Sequence, residues 1–333
     1  QAIFESLNST GKELLESDLI RNYVLMGLAP SEQTYVYEHL WRPMEQLFIY
    51  ETQGSVMDAF FRHYLTMKFS RIPKQGRVYE EFKLYHLNCE FGSIRELCQD
   101  LLEYAKYYTN IVFKRNSDTD LRRLYEDIID LRMEVSYPFL LKIHHDCTEG
   151  LITSDELKEI LELCISYVLR RAVCEIPTNS MNKTFATLKN YIKPDDYLNS
   201  VKAFFVMQDT YKEFPDNDKF EGAFVNRDIY NMRARNYILS RLENFENKAP
   251  ITIENYTIEH IMPQTLSDDW KSDLGADANR IHETYVHTIG NLTLTGYNSE
   301  YQNKRFSDKV DCTDKAGNAI GYRHTPIKIS SYL

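Results

Sequence analysis

The sequence predicts a mainly α-helical chain that ends in a small α+β tail. Two observations predict this class. Apolar residues recur at helical spacing along most of the 333 residues, and after Pro250 short runs of β-branched residues appear, separated by turn residues. The change in pattern places a domain boundary near residue 245. Hydrophobic residues make up 43% and charged residues 26% of the chain, a balance that is ordinary for globular proteins.

Several amphipathic segments make up the helical region. The first follows a turn at Asn8 to Gly11, and Ser17 or Asp18 precedes its apolar positions. Thr153 or Ser154 is predicted to cap a later helix, because an acidic residue stands in the first turn that follows. Apolar faces at helical spacing predict further helices around residues 94–108, 121–129, 157–169, 183–192, 197–208 and 228–243.

The tail is predicted to contain a strand, a long loop, a second strand and a helix. The stretch TIEHIMPQ, residues 257–264, begins with β-forming residues and is stopped by Pro263, so the first strand is expected to end near His260. The run NLTLT predicts a second strand at residues 291–295, and the segment NSEYQNKRFSDKV predicts a helix that Asn298 could cap.

This geometry would bring an imidazole, a carboxylate and several helix-borne amides into one small volume. The imidazole of His260, whose ordinary pKa is about 6.5, can remove a proton from water. Carboxylate and amide oxygens are hard ligands that suit Mg²⁺, which keeps several waters and binds phosphate oxygens. A phosphodiesterase site with a single metal ion contains this set of groups.

The charge pattern bears on nucleic-acid binding. A formal net charge of −10 argues against a protein that coats nucleic acid nonspecifically. Residues 59–79 nevertheless carry five cations and no acid, with aromatic residues between them. This stretch is either a phosphate-contacting surface or an ordinary solvated helix end and loop, and both interpretations stay open. The cations are Arg62, Lys68, Arg71, Lys74 and Arg77.

Cysteine usage and the lack of targeting segments predict a cytoplasmic protein. The six cysteines are scattered singly, without a C-x-x-C pair, as expected for reduced thiols. No apolar run is long enough to cross a bilayer, and no signal-peptide pattern is present, so no membrane partner is expected. The chain begins at Gln1 without a methionine, so it could be a fragment of a longer protein.

Two motifs in the tail resemble a known nuclease module. The stretches IEHIMPQ and IGNLTLTGYNSEYQNKRFSDK are similar to the HNH, or His-Me finger, module that closes the GmrSD-type modification-dependent restriction endonucleases. Upstream, IFESLNSTGKELLESDLIRNYVLM resembles the end of their ParB-like domain, and LYHLNCEF to RARNYILSRLE resembles the helical region between. The resemblance implies a ParB-like remnant at residues 1–30, a helical domain at 31–244 and a ββα-metal nuclease domain at 245–333.

The resemblance also implies roles for individual residues. His260 would be the general base, and Glu259 would be a metal ligand beside it. Asn291 would tie the loop or orient the imidazole, and either Asn298 or Asn303 would complete a site for Mg²⁺ or Mn²⁺. Asn298 serves equally well as a plain helix cap. His287, in the loop between the strands, is a candidate substrate contact. Lys304 and Arg305, which follow Asn303, are candidate DNA contacts.

The implied function is a metal-dependent DNA endonuclease of a phage-defence system, with modified phage DNA as a candidate substrate and a homodimer as a candidate assembly. NTP would bind only through the ParB-like domain, whose D-G-Q-Q-R motif lies upstream of the point where this sequence begins. Two alternatives compete with this function. One is a catalytically inactive nucleic-acid-binding or assembly scaffold, and the other is an unrelated helical enzyme or adaptor.

Overall fold

The computed structural model describes residues 15–48 and 55–333 and confirms a predominantly helical chain with a small two-stranded sheet. The predicted turn at Asn8 to Gly11 lies outside the described residues. The chain divides into two compact units, the first formed by residues 1–167 and 177–214 and the second by residues 168–176 and 215–333. Among the described residues, no helix is both long and apolar enough to span a membrane.

The first unit is built from helices joined by short turns. A π-helical turn at Tyr37–Trp41 links the second helix to the third. The last part of helix α9 extends past Tyr167 and belongs to the second unit. The helices are α1 (Glu16–Leu25), α2 (Pro30–Val36), α3 (Arg42–Phe48), α4 (Ser55–Phe69), α5 (Val78–Asn88), α6 (Ile94–Val112), α7 (Thr119–Asp130), α8 (Tyr137–Thr148), α9 (Ser154–Val173), α10 (Met181–Leu188) and α11 (Tyr197–Val206).

Local signals in the sequence explain where these helices begin. Ser93 caps α6 by accepting a hydrogen bond from the amide of Glu96, and the Asp118 carboxylate caps α7. Of the two candidate caps for α9, Thr153 is the one used. Its hydroxyl accepts from the amide of Glu156, and the Glu156 carboxylate accepts in return from the amide of Thr153.

Aromatic side chains form much of the first unit's core. Phe60, Phe61 and Tyr64 on α4 are fully buried, and their rings contact one another at centroid distances of 5.3 and 6.0 Å. The Tyr64 hydroxyl donates to the carboxylate of Asp100 on α6, so its polar end is satisfied. The many tyrosines and phenylalanines that sit at helical spacing therefore serve packing in this unit.

The second unit contains two further helices, two strands and several short helical segments after residue 215. Its elements are α12 (Asn217–Asn226), α13 (Arg235–Glu243), β1 (Thr257–His260), α14 (Asp268–Leu274), α15 (Ala278–Tyr285), β2 (Leu292–Thr295), α16 (Asn298–Tyr301) and α17 (Phe306–Val310). The two predicted strands are confirmed. They pair antiparallel, with Thr257 opposite Thr295 and His260 opposite Leu292.

The longer segment of the second unit, which holds the strands, begins at residue 215, thirty residues before the expected boundary near 245. Buried hydrogen bonds explain the difference. Glu243, which is 1% exposed, accepts from the amides of Lys328 and Ile329 at 2.7 and 2.9 Å. The carbonyl of His287 accepts from the amides of Ile229 and Tyr230. Residues before 245 are therefore part of the same folded body as the tail.

Two details of the tail differ from the prediction. The connection between the strands is not an irregular loop, because it contains α14 and α15. The predicted helix after β2 is broken into α16 and α17, since Gln302 adopts a left-handed φ of 47° that ends the first turn. Asn298 is the first residue of α16 rather than its cap, and Tyr297 precedes it without a side-chain cap bond.

A prediction about acid stability follows from His144, which is 8% exposed in the first unit and whose Nε2 lies 3.3 Å from the Tyr125 hydroxyl. Burial lowers the pKa of His144 from 6.5 to about 4. The unfolded chain therefore takes up a proton as the pH falls through 6.5, while the folded chain does so only near 4. The stabilisation that depends on neutral His144 is present above pH 6.5 and is lost between 6.5 and 4.

The parent should lose unfolding free energy between pH 7 and pH 5, and we expect this loss to be smaller by about 2 kcal/mol in His144→Phe. The measurement is urea unfolding at both pH values, followed by Trp41 fluorescence in a Trp270→Phe background. His39→Phe, on an exposed position of the same unit, is the matched control and should leave the pH dependence as it is. An equal pH dependence in the His144 variant and the parent would contradict the assignment.

Candidate active site around His260

His260 is the last residue of β1 and stands where the strand leaves its partner. Successive side chains of a strand point to opposite faces, so Glu259 and His260 face different surroundings. Both are buried, at 4% and 6% exposure. One more backbone bond, from the amide of Ile261 to the carbonyl of Asn291 at 3.0 Å, extends the ladder before Pro263 ends it.

Polar and aromatic groups surround the His260 ring. Its Nε2 lies 3.1 Å from Nδ1 of His287, and the Gln264 amide donates to its Nδ1 at 3.4 Å. The Tyr230 ring packs edge-on against His260 at a centroid distance of 4.4 Å, and it stacks on His287 at 5.1 Å. His260 is therefore not a core histidine packed among aliphatic side chains.

The partners of His260 define its tautomer. The Gln264 side-chain amide can only donate through its nitrogen, so Nδ1 of His260 carries a lone pair. The proton then lies on Nε2, which donates to Nδ1 of His287. The imidazole of His260 thus presents its basic nitrogen away from His287, on the side where Gln264 makes a long and weak hydrogen bond.

Electrostatics keep this imidazole neutral. Burial is the main cause that lowers the pKa of His260 to about 4; the neighbouring His287 and Lys309 contribute to this lowering, and the Asp228 carboxylate opposes it. Burial alone would raise the pKa of Asp228, but hydrogen bonds from Asn231 and the neighbouring His287 bring it below its ordinary value. A neutral imidazole beside a carboxylate can accept a proton and hold the resulting charge.

Asn291 holds the chain on both sides of this site. Its side-chain oxygen accepts from the amide of Met262 at 2.7 Å, and its nitrogen donates to the carbonyls of Met262 and Val286 at 2.9 and 2.8 Å. Asn291 is 7% exposed, so these bonds form away from water. Of the two roles expected for Asn291, tying the loop is the one that its hydrogen bonds perform.

Glu259 points into a different environment, which the sequence analysis did not anticipate. Its Oε1 accepts from Nζ of Lys309 at 2.6 Å and from the Tyr322 hydroxyl at 3.1 Å. Burial raises the pKa of Glu259, and the bond to Lys309 opposes this. Burial likewise lowers the pKa of Lys309, and Glu259 opposes it. The metal-ligand role expected for Glu259 stays a prediction, and in the structure an ammonium neutralises this carboxylate.

The two asparagines expected to complete a metal site are placed differently from each other. The Asn298 amide nitrogen donates to the hydroxyl of Thr257 and to the carbonyl of Ile258 at 2.9 and 3.1 Å, so it fastens α16 to β1. Asn303 is exposed and lies in the break between α16 and α17. Neither position singles out one of the two as a ligand.

These residues do not fit a preformed Mg²⁺ site. Oε1 of Glu259 is occupied by Lys309, whereas Asn298 is bound to β1 through its amide nitrogen and not through the oxygen that a metal ion would bind. In the part of the chain that the structure describes, no group of three or more His, Cys, Asp or Glu side chains has its ligand atoms gathered around His260. The chemistry that the site supports directly is proton transfer at the imidazole.

Carboxylates already neutralise most of the cations expected to contact DNA. Four of the seven form ion pairs: Lys68 with Asp100, Arg71 with Glu81, Arg77 with Glu80, and Arg305 with Asp269 and Asp273. Arg62 donates to the carbonyl of Pro73. In the part of the chain that the structure describes, Lys74 and Lys304 are exposed and form no ion pair with a carboxylate, and Nζ of Lys304 donates to Sγ of Cys312 at 3.4 Å.

Three neighbours of the site were not found from the sequence. Tyr230 is thirty residues before His260 and carries no motif. Gln264 ends the quoted TIEHIMPQ stretch, four residues after His260, and could have been noticed as a partner. Lys309 is the buried residue of the five-residue helix α17, and no apolar periodicity in the sequence marks its position. His282 is placed with its Nε2 3.0 Å from the carbonyl of Pro263.

The fold and the site define a strand, strand and helix unit that carries a neutral imidazole at the end of its first strand. Residues 214–329 match the family model described as GmrSD restriction endonucleases, C-terminal domain. The match begins one residue before the 215–333 segment of the second compact unit, and it supports the family resemblance there. The ParB-like part of the resemblance stays a prediction. A search of curated proteins finds no match.

We expect Asn291→Ala to destabilise the second unit by about 3 kcal/mol, because it leaves one buried amide and two buried carbonyls without partners. Urea unfolding followed by Trp270 fluorescence in a Trp41→Phe background measures the effect. Asn279→Ala, on the exposed face of α15, makes the same chemical change and should shift stability by less than about 0.5 kcal/mol. Equal losses in both variants would refute the role assigned to Asn291.

Proposed function

We propose that the second compact unit is an HNH, or His-Me finger, endonuclease that hydrolyses phosphodiester bonds in DNA. The observation that carries this proposal is the His260 imidazole. The imidazole is neutral and presents a lone pair on Nδ1. His260 is the last residue of the first strand of an antiparallel pair, and a helical turn follows the second strand. The match of residues 214–329 to the C-terminal domain of restriction endonucleases supports DNA as the substrate.

The chemistry assigned to the chain's own residues is a single proton transfer. Nδ1 of His260 takes a proton from a water molecule as the water oxygen attacks phosphorus, the bond between phosphorus and the 3′-oxygen breaks, and the leaving 3′-oxygen takes up a proton from solvent water. The resulting imidazolium still donates from Nε2 to His287, which orients the ring and disperses its charge. The negative charge near His260 comes from Asp228, whose carboxylate favours the protonated ring.

A requirement for Mg²⁺ or Mn²⁺ remains a prediction of the family resemblance. Bound at such a site, a divalent ion would stabilise charge on the phosphate oxygens. No step assigned to the protein's residues passes through a metal ion, because the carboxylate expected to hold one, Glu259, is engaged with Lys309. A role in phage defence, with modified DNA as the preferred substrate, is likewise part of the proposal.

We expect His260→Ala to lower the rate of DNA cleavage by about a hundredfold or more, because a positioned general base contributes about 10² to 10⁴. The assay compares plain, glucosylated and phosphorothioated DNA with Mg²⁺, with Mn²⁺ and with EDTA. His324→Ala changes an exposed histidine of the same unit and should cleave like the parent.

Each of the other possible outcomes of this assay would exclude one part of the proposed function. Equal cleavage by the parent and His260→Ala would remove His260 from the mechanism. Binding of DNA by the parent without cleavage under any condition would favour the inactive scaffold. Cleavage that persists in EDTA would exclude a divalent-ion requirement but would leave the imidazole's role intact.

We expect Lys304→Ala and Lys74→Ala each to weaken DNA binding and to reduce the slope of log affinity against log salt by about 1, as the loss of one phosphate contact does. Arg71→Ala should change the slope much less, because Glu81 already pairs with that guanidinium at 2.6 Å. Fluorescence anisotropy with a labelled duplex over a range of salt concentrations measures all three. A larger effect of Arg71→Ala than of Lys304→Ala would reverse the assignment.

A further inference from the structure

Lys309 is a fully buried lysine beside the candidate active site. Its side chain has 0% exposure, and its Nζ contacts three oxygens. These are Oε1 of Glu259 at 2.6 Å, the carbonyl of His260 at 2.9 Å and the carbonyl of Ile261 at 3.1 Å. The three acceptors belong to three consecutive residues at the end of β1.

This set of acceptors identifies the charge state of the lysine. An ammonium has three N–H donors and no acceptor, so three oxygens satisfy it completely. A neutral amine has only two such donors, and its lone pair would face one of the oxygens. The geometry therefore favours an ion pair in which Lys309 is charged and the Glu259 carboxylate is its counter-ion.

A carboxylate and two carbonyls are the oxygen ligands that a hard metal ion would also select. Here the protein's own cation takes that place. The Tyr322 hydroxyl adds a fourth polar group by donating to Oε1 of Glu259. Both groups bind the same atom, Oε1 of Glu259, and a metal ion that competed for this oxygen would have to displace them.

Close packing behind α17 fixes the position of the ammonium. At Gly321 an added Cβ would lie 2.2 Å from the carbonyl oxygen of Val310 and 2.5 Å from the amide of Cys312. Only glycine allows this approach, which brings the chain after Lys309 against the segment that carries Tyr322. Lys309 and Tyr322 thus reach Glu259 from elements that are packed directly on each other.

We propose that Lys309 is a positioning residue of the endonuclease site: its ammonium clamps the carbonyls of His260 and Ile261, and Glu259 serves as its counter-ion rather than as a metal ligand. The clamp fixes the backbone at the residue that carries the imidazole. The catalytic part of this proposal rests on the endonuclease function proposed above.

The test compares Lys309→Met, Glu259→Gln and the double variant in the full chain. Lys309→Met should lower the cleavage rate constant by about tenfold to a hundredfold, as expected when a reacting group is displaced, with the KM for DNA unchanged. Glu259→Gln should leave the Mg²⁺ concentration for half-maximal cleavage within about twofold of the parent, because the carboxylate is assigned no contact with the ion. The double variant should cleave as slowly as Lys309→Met, because the carbonyls of His260 and Ile261 still lack the ammonium, although removing both buried charges together should restore part of the stability.

Lys315→Met is the matched control, since it removes an exposed lysine six residues further along the chain. It should cleave like the parent. Should Lys309→Met alone fail to fold, Glu259→Gln and the double variant decide the question through the same half-saturation measurement. A rise of about tenfold or more in the Mg²⁺ requirement of Glu259→Gln would overturn the proposal and restore Glu259 as a ligand. Parent-like cleavage by Lys309→Met would overturn it as well.

A separate measurement distinguishes failure of this inference from failure of the proposed function. The thermal midpoints of the parent and the three variants form a double-mutant cycle that needs no activity. A strongly non-additive cycle, with the double variant more stable than Lys309→Met, would support the clamp even in a protein that cleaves no DNA. An additive cycle would overturn the clamp. The Cε1 resonance of His260 in histidine-labelled protein should move in Lys309→Met and stay in place in Lys315→Met.

Discussion

The ion pair between Lys309 and Glu259 is the interaction on which the candidate site depends. Two opposite charges are buried within 2.6 Å of each other, and the ammonium also holds the two carbonyls at the end of β1. Removing water from two charges is costly, and an arrangement of this kind is stable only when every donor finds an oxygen. The same bonds that satisfy the charges also stop the strand end from moving.

The imidazole pair is a second constraint, and it acts on chemistry rather than on position. Neutral His260 has little tendency to hold a proton at rest, because its surroundings are dry and its neighbour is another imidazole. Proton transfer to such a ring becomes favourable only when negative charge, on a bound substrate or on a nearby carboxylate, stabilises the protonated ring. Tyr230 shields both rings, and Asn291 ties the loop that carries Met262 to the start of β2.

Local patterns in the sequence were sufficient for the strands and for most helices. The β-branched residues before His260, together with Pro263, identify β1, and Thr153 identifies the start of α9 by its capping chemistry. The break at Gln302 was not predictable, because a glutamine with positive φ is set by its tertiary surroundings. Ser267 does cap α14, yet the apolar pattern that follows it is too short to distinguish a helix from a loop.

The candidate site was predictable in its central residue but not in its partners. A motif identifies His260, whereas its contacts with Tyr230 and His287 join residues far apart in the chain. Ion pairs could not be predicted from the sequence for the same reason. No acidic residue lies within residues 59–79, but Glu81 on α5 and Asp100 on α6 form ion pairs with two of the cations there. A charge run in a sequence therefore does not measure the charge of a surface.

The end of α9 gives the second unit a discontinuous chain. Arg170 donates to the carbonyl of Pro215 and to the side chain of Asn217, and Glu175 pairs with Arg227. Ser330, whose hydroxyl lies 2.6 Å from that of Thr293, comes after the last residue matched to the family. A polypeptide truncated to residues 214–329 would lose all of these partners. Autonomous folding, and any modular exchange of this unit between proteins, thus requires a longer fragment than the motif boundaries suggest.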